Sequence, residues 1–154
     1  MMFLSEDQKR KYRIMSRSTC ERYCSQNHSK TAIIVSIKSS WDKEPPHLCM
    51  TEHNRVIDIL YLSFDDITYE DDPRFAMTEK DGERVAGFIN RYYGRTDTII
   101  VHCDGGVSRS AGVCAAIMRV KEGSDSPVFD NRAKYPNMTC YLRTLRGFGY
   151  ELVT

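Results

Sequence analysis

The sequence has no excess of charge of either sign. Its 154 residues include 22 Lys and Arg and 21 Asp and Glu, so the formal net charge is +1 at pH 7. Proteins that bind nucleic acid or a membrane surface through their overall charge are usually far from neutral. We therefore expect neither a nucleic acid nor a membrane among the partners of this chain.

The sequence also lacks long hydrophobic runs, internal repeats and low-complexity segments. No apolar run approaches the roughly 18 residues that a membrane-spanning helix needs. A chain of 154 residues is long enough to bury one sizeable core and too short to require a second. We expect residues 1–154 to form a single domain that acts as a monomer.

Six cysteines are present, but a secretory signal is not. The N-terminus, M-M-F-L-S-E-D-Q-K, contains no apolar segment of the kind found in signal peptides. Because disulfide frameworks belong to exported proteins, we expect reduced thiols and a cytoplasmic location. Cys20, Cys24 and His28 have the spacing of one helix face, which metal ligands could use, but no fourth ligand lies near them in the sequence. We favour a packed helix face and predict no metal site.

The hydrophobic pattern predicts strands that alternate with helices. Runs of β-branched and apolar residues predict strands at 31–37, 56–64 and 98–101. Ser18 and Glu21 form a capping-box pattern, which predicts a helix from there to about His28. Three later helices are predicted from Glu79 to Gly94, from about Ala111 to Gly123, and from Pro136 to Gly147 or Gly149. The alternation indicates an α/β domain with a central, mostly parallel sheet of about four to five strands flanked by helices.

For three segments we also predict which side chains are buried and which are exposed. The basic run at 9–13 is interpreted as a solvated face. The helix after Arg109 is apolar nearly all round, so we expect it to be buried, with small residues that allow a close approach to the sheet. The last helix should bury one face, which carries Met138, Tyr141, Leu142 and Leu145.

The segment H-C-D-G-G-V-S-R-S, residues 102–110, lies between a predicted strand and this buried helix. Unpaired N–H groups and the helix dipole make a helix N-terminus favourable for an anion. We expect Gly105 and Gly106 to adopt positive φ angles that turn successive N–H groups inward. The planar guanidinium of Arg109 can contact two phosphate oxygens at once. The loop is therefore predicted to bind a tetrahedral oxyanion such as phosphate.

Cys103 begins this loop and faces the same N–H groups. Together with Arg109, they should lower its pKa below the ~8.5 of a free cysteine and so favour the thiolate. A thiolate beneath a bound phosphate is placed for in-line attack. The residues predicted to bind the phosphate are Asp104, Gly105, Gly106, Val107, Ser108 and Arg109.

The pattern H-C-x5-R-S resembles the signature of the cysteine-dependent protein phosphatases, and G-V-S-R-S is most similar to their dual-specificity branch. The segments S-R-S-T-C-E, A-I-I-V-S-I, L-S-F-D-D-I and K-Y-P-N-M extend this resemblance to the small bacterial and phage dual-specificity-like members. It implies hydrolysis of a phosphorylated protein or small phosphate monoester through a phosphocysteine intermediate, without a cofactor. The substrates implied are phosphotyrosine and, in dual-specificity members, phosphoserine or phosphothreonine.

The resemblance also implies a role for each matching residue. Cys103 would be the nucleophile, and Arg109 would bind the phosphoryl group in the ground and transition states. Ser110 would help the thiolate to leave the intermediate, and His102 would orient the loop and tune the thiolate.

A phosphatase of this kind also needs an acid that protonates the leaving oxygen. The candidates are Asp65, Asp66, Asp71 and Asp72. The usual spacing to the cysteine in the family favours Asp72. The pattern F-x-D-I at the end of a strand resembles the element that carries the acid in the small bacterial members, and on that ground we choose Asp66.

Other functions use similar loops and stay open. Some relatives act on phosphoinositides or on RNA 5′-phosphates, but they often carry Lys or His inside the loop, where this chain has the acidic Asp104. Low-molecular-weight arsenate reductases carry their loop cysteine near the N-terminus, unlike Cys103. A non-catalytic pseudophosphatase would be indicated by loss of the cysteine, the arginine or the acid, and candidates for all three are present here.

Overall fold

The structure, a computed structural model, describes residues 4–151, and four strands lie within this range. They are β1 (Tyr12–Ser16), β2 (Ala32–Lys38), β3 (Val56–Ser63) and β4 (Thr98–Cys103). All pair in parallel, in the order β1-β4-β2-β3. The predicted α/β architecture, with a mostly parallel sheet flanked by helices, is confirmed. Because the strands are parallel, the segments that follow them meet at one edge of the sheet.

Six helices lie within the described range. They are α1 (Glu6–Lys11), α2 (Arg17–Cys24), α3 (Glu79–Tyr92), α4 (Arg109–Glu122), α5 (Ser126–Phe129) and α6 (Met138–Gly147). None of these helices is long and apolar enough to cross a membrane.

The two faces of the sheet are buried against different helices. Along β2, Ile33, Val35 and Ile37 pack with side chains of α3, α4 and α6, whereas Ala32 and Ile34 pack with side chains of α2. This alternation is the period of a β-strand, and burial on both sides explains the nearly continuous apolar runs of β2 and β4. Strand β4 is buried along its whole length, so its last residues are held rigidly.

The N-terminal part of the chain corrects two predictions about helix α2 and adds a strand. The basic residues Lys9, Arg10 and Arg13 are exposed, as the interpretation of a solvated face predicts, but Tyr12 among them begins the edge strand β1 and is buried. The cap of α2 is Ser16 and not Ser18, because the Ser16 hydroxyl accepts the Thr19 N–H at 3.2 Å. Helix α2 also ends at Cys24 and does not reach His28.

The residues considered as metal ligands are used in packing. Cys20 and Cys24 lie in the core beneath the sheet, as the interpretation of a packed helix face predicts. His28 lies beyond the helix end, with its ring stacked on Tyr23 at 3.6 Å between centroids.

Helix α4 is buried, as predicted, and it packs against β1 and β4 of the sheet and also closely against α6. A Cβ placed on Gly112 would lie 2.4 Å from the carbonyl oxygen of Asn137. Helix α6 itself buries Tyr141 and Leu145 as predicted, but Met138 and Leu142 of the same predicted face are 46% and 42% exposed. The predicted helix end at Gly123 is confirmed by its left-handed conformation, with φ of 82°.

Candidate active site

The loop of residues 104–108 connects the buried strand β4 to the buried helix α4 at the edge where the parallel strands end. Cys103, the last residue of β4, is 2% exposed, and Arg109, the first residue of α4, is 5% exposed. The side chain of Ser108, which precedes α4, makes no capping bond to the helix. The first N–H groups of α4 are therefore left for another acceptor.

The carbonyl groups of the loop are held from its outer side. The N–H of Arg17 donates to the Asp104 carbonyl at 3.1 Å. On the other flank, residues 134–137 provide three donors, and we call this segment the strap. Lys134 Nζ donates to the Gly106 carbonyl at 2.6 Å, the Tyr135 N–H to Val107 at 3.0 Å, and the Asn137 N–H to Ser108 at 2.9 Å.

This anchoring orients the N–H groups of the loop. All peptide bonds in the described range are trans, so each carbonyl points opposite to the N–H of the next residue. Carbonyls fixed outward therefore turn the following N–H groups to the concave side. Within residues 4–151, no protein acceptor is bonded to the N–H groups of Gly105, Val107, Ser108 or Arg109. Converging N–H groups of this kind form a nest that binds anions.

A single glycine provides the left-handed turn of the loop. Gly106 has φ of +70°, and a Cβ there would lie 2.6 Å from the backbone of Met15 and Ser16. The loop therefore packs directly on the end of β1. The prediction of a positive φ was correct for Gly106 but wrong for Gly105, where a Cβ would meet nothing within 4 Å. One residue with a positive φ is enough to turn the chain at this loop.

The Cys103 thiol is surrounded by hydrogen-bonding groups. Its Sγ lies 3.0 Å from the Ser110 hydroxyl and accepts the Gly106 N–H at 3.3 Å. Burial raises the pKa of Cys103, but the hydrogen bonds from Ser110 and Gly106 and the charge of Arg109 outweigh it and leave the pKa lowered. The site therefore favours the thiolate, the nucleophilic form.

The Arg109 guanidinium is fixed on two of its three nitrogens. Nη1 donates to the Ser39 hydroxyl at 3.0 Å and to the Phe64 carbonyl at 2.9 Å, and Nη2 donates to Asp104 at 3.1 Å. Among the described residues, Arg109 Nε is the buried side-chain nitrogen that has no partner. A buried donor without an acceptor is costly, and an oxygen of a bound anion would satisfy it.

The side chain of Asp104 points to this arginine. It accepts from Ser39 at 2.8 Å and from Arg109, and both hydrogen bonds lower the pKa of Asp104 against the raising effect of burial. The carboxylate is therefore charged at neutral pH. Of the residues predicted to bind phosphate, Asp104 is the one whose side chain carries the wrong charge for direct contact.

His102 contacts the backbone and a neighbouring strand. Its Nε2 lies 2.6 Å from the Ser36 hydroxyl on β2, and its Nδ1 lies 3.2 Å from the Cys103 carbonyl. Burial lowers the pKa of His102, so the imidazole is neutral at pH 7. The ring connects β4 to β2 directly behind the thiol.

Among the four candidate carboxylates, Asp66 is the one that contacts the loop. Its Oδ1 accepts from the Ser108 hydroxyl at 2.7 Å and from Asn137 Nδ2 at 3.0 Å. The others bond to their own surroundings: Asp65 to Ser40, Asp71 to Thr68, and Asp72 to Arg74. The local motif thus located the carboxylate beside the loop better than the spacing to Cys103 did.

No family model and no curated protein matches the sequence. Solved structures do match. A point variant of human DUSP28 superposes with a TM-score of 0.61 at 17% identity, over 91% of this chain and 90% of that chain. Tk-PTP in its active form superposes with a TM-score of 0.52 at 16% identity, over 89% and 88% of the two chains. PTPMT1 in complex with PI(5)P gives 0.50 at 16% identity, over 77% of each.

The chain has the fold of the dual-specificity phosphatases. The fold that the sequence resemblance implied is therefore confirmed. At 16–17% identity the likeness establishes the fold, whereas activity and substrate have to be argued from the site.

Three residues of this dual-specificity phosphatase fold contribute to the site but were missed in the sequence. Ser39 contacts both Arg109 and Asp104, Asn137 contacts Asp66, and Lys134 contacts the loop carbonyl of Gly106. Ser39 directly follows β2, and the rule that sites form beyond the carboxyl ends of parallel strands could have indicated it. Lys134 and Asn137 lie in the segment K-Y-P-N-M that the sequence resemblance includes, but the resemblance assigned no role to either, because their contacts depend on how the strap packs against the loop.

Proposed function

We propose that this protein is a phosphatase that hydrolyses phosphate monoesters through a phosphocysteine intermediate. The observation that carries the proposal is the position of the Cys103 thiol, whose pKa is lowered, beside loop N–H groups and an Arg109 Nε that have no acceptor among residues 4–151. A nucleophile and an anion-binding nest in one loop are the two parts that phosphoryl transfer to sulfur requires.

In the first step, the Cys103 thiolate attacks the phosphorus atom of the bound ester. An S–P bond forms as the bond from phosphorus to the leaving oxygen breaks. The loop N–H groups and Arg109 stabilise the charge on the non-bridging oxygens, which is where a phosphoryl transition state needs stabilisation. The leaving oxygen takes a proton from Asp66, so the leaving group departs as a neutral alcohol or phenol.

In the second step, water attacks the phosphocysteine. Asp66, now a carboxylate, accepts a proton from this water, the S–P bond breaks, and inorganic phosphate and the Cys103 thiolate are regenerated. The Ser110 hydroxyl, 3.0 Å from Sγ, stabilises the departing thiolate by a hydrogen bond. The contacts of Asp66 with Ser108 and Asn137 support this assignment, since they hold the carboxylate at the rim of the loop.

The substrate class that we propose is an aryl phosphate such as phosphotyrosine. Phosphoserine and phosphothreonine would be hydrolysed by the same two steps. Tyr135 supports an aromatic substrate, because the residue is 73% exposed and its N–H is bonded to the carbonyl of Val107 in the loop. The charged Asp104 disfavours phosphoinositides and RNA 5′-triphosphates, which bring more negative charge. We further propose that the protein acts as a monomer in the cytoplasm, where a reducing environment preserves the thiolate.

Hydrolysis of p-nitrophenyl phosphate in the presence of a chelator tests this function. The wild type should release phosphate, and orthovanadate should inhibit it competitively. Cys103→Ser should abolish turnover but retain binding of inorganic phosphate, because the N–H groups and Arg109 remain. Cys49→Ser is the matched control, since Cys49 is exposed and distant from the loop in sequence, and it should retain full activity. Turnover by Cys103→Ser close to that of the wild type would refute the proposal.

A further inference from the structure

The strap contacts the loop with one side chain and two backbone groups. Tyr135 and Asn137 use their N–H groups, which any residue except proline could supply. Lys134 uses its ammonium group, which lies 2.6 Å from the Gly106 carbonyl. The orientation of the peptide between Gly106 and Val107 therefore depends on the chemistry of one side chain.

The intrinsic preference of this peptide is weak on one side. Its rotation is governed by ψ of Gly106 and φ of Val107, and Gly106 lacks the Cβ that restricts rotation in other residues. If the peptide turned over, the Gly106 carbonyl would point into the concave side of the loop and the Val107 N–H would point out. The nest would then present an oxygen where it now presents a donor, and this oxygen would repel a bound phosphate.

We propose that Lys134 is a positioning residue, which orients the Gly106–Val107 peptide so that the Val107 N–H faces the bound phosphate. The proposal rests on the proposed function, because it assumes that the loop binds a phosphoryl group. Lys134 itself does not touch the substrate. Its ammonium binds the outer side of the loop, and the trans peptide transmits that contact to the inner side.

The surroundings of Lys134 support this role. Its side chain reaches the loop beside a cavity of about 260 Å³, whose lining includes Tyr12, Cys114 and Asn131. The side chain is partly buried at its contact with Gly106, and a charge-assisted hydrogen bond in such a place is stronger than a neutral one in water. The same charge adds to the positive potential that Arg109 gives to the site.

The test is a titration of the protein with inorganic phosphate, followed by NMR spectra of the backbone N–H groups. Lys134→Met removes the donor and keeps most of the side-chain volume. We expect it to weaken phosphate binding about tenfold, the effect of losing one hydrogen bond to a charged group. The Val107 N–H resonance, which should shift with phosphate in the wild type, should lose that shift in Lys134→Met.

Two further variants separate positioning from loss of structure. Lys134→Arg keeps a charged donor and should restore most of the affinity. Lys121→Met is the matched control, because Lys121 Nζ also makes a 2.6 Å hydrogen bond, to Asn90, but on a helix surface away from the loop. It should bind phosphate like the wild type. Thermal unfolding of each variant measures any general loss of stability, and Lys134→Arg decides the question if Lys134→Met does not fold.

The outcomes distinguish this inference from the proposed function. If the wild type binds and hydrolyses phosphate esters, and Lys134→Met binds phosphate equally well with the same Val107 shift, the positioning role is wrong and the function stands. If the wild type binds phosphate without turnover, the function is wrong and the inference is judged by the Lys134 variants. If the wild type does not bind phosphate, both are wrong.

Discussion

Arg109 and Asp104 form an ion pair at 3.1 Å inside the loop that is proposed to bind phosphate. The Asp104 carboxylate and the phosphate would both interact with the same guanidinium. We therefore expect Asp104 to lower the affinity for the proposed substrate while it holds Arg109 in place, together with Ser39. A residue of this kind limits how strongly the site binds anions in general.

Replacing Asp104 by Asn should strengthen binding of anionic substrates. The amide keeps a hydrogen-bond acceptor for Ser39 and Arg109 but removes the negative charge. We expect KM for p-nitrophenyl phosphate to fall by about two- to fivefold, the range of a partly exposed charge pair. The activity on a phosphoinositide should rise relative to that on a phosphotyrosine peptide. A KM equal to or above that of the wild type would show that the ion pair serves only to position Arg109.

Arg109→Lys should impair the enzyme severely although it keeps the charge. A lysine cannot reproduce the contacts to Ser39, Phe64 and Asp104 while it also donates to the phosphoryl group. We expect kcat/KM to fall about a hundredfold or more, as for the loss of other transition-state donors. Arg119→Lys is the control, since Arg119 contacts Tyr141 and Tyr150 outside the loop. A loss below tenfold in Arg109→Lys would exclude the proposed role of the guanidinium in stabilising the transition state.

Asp66→Asn should affect poor leaving groups most. The general acid matters little when the leaving oxygen is weakly basic, so hydrolysis of phenyl phosphate should slow by about a hundredfold or more while p-nitrophenyl phosphate is affected less. The basic limb of the pH–rate profile should disappear. Asp72→Asn, which removes only the pairing with Arg74, should show neither effect. If Asp72→Asn gives this behaviour and Asp66→Asn does not, the assignment of the acid is wrong.

The pH dependence of alkylation at Cys103 itself, measured separately from the other five cysteines, reports the Cys103 pKa. The thiolate reacts and the thiol does not, so the rate falls as the pH drops through the pKa. Because that pKa is lowered, the midpoint in the wild type should lie below the ~8.5 of an ordinary cysteine. Ser110→Ala removes one of the groups that lower it, so the midpoint should move to higher pH. Ser25→Ala, which alters a hydroxyl on the end of α2, should leave the midpoint unchanged.

Alanine at the two adjacent glycines of the loop should affect the stability of the protein very differently. Gly106→Ala forces a Cβ into the left-handed region and against the backbone of β1. We expect a loss of about 2 kcal/mol or more in the free energy of unfolding, measured by urea denaturation. Gly105→Ala should be tolerated, because its Cβ meets no atom within 4 Å. Equal losses in both variants would mean that the loop conformation differs from the one described.

The sequence predicted the centre of this protein well and its periphery poorly. Strands β2 and β3 and helices α3 and α4 were found within one or two residues, since burial of one or both faces imposes a periodicity that local patterns reveal. Strand β1 was missed because an edge strand of five residues that directly follows a basic run has no such pattern. This segment forms a strand because it pairs with β4, which lies more than 80 residues later in the chain.

The candidate active site shows the same contrast between residues that a local pattern reveals and residues that only distant contacts bring in. Cys103, Gly106 and Arg109 belong to one short motif, so their proximity is fixed by local chain geometry. Ser39, Lys134 and Asn137 reach the loop from other parts of the chain, and only the packing of the fold brings them there. The choice between Asp66 and Asp72 was made by a local motif, because F-x-D-I places Asp66 just beyond the end of β3, whereas the spacing to Cys103 does not report which carboxylate reaches the loop.

The anchoring of the loop on both flanks has a consequence for biosynthesis. Its carbonyls are bonded by Arg17, which is made early, and by the strap, which is made late. A ribosome releases the chain from its N-terminus, so the strap emerges only after Cys103 and Arg109 have left the exit tunnel. Until then the Gly106 carbonyl lacks its hydrogen bond from Lys134, and the nest of N–H groups beside Cys103 is not fully oriented. We therefore expect the nascent chain to bind phosphate esters more weakly than the folded protein does, until the strap has docked on the loop.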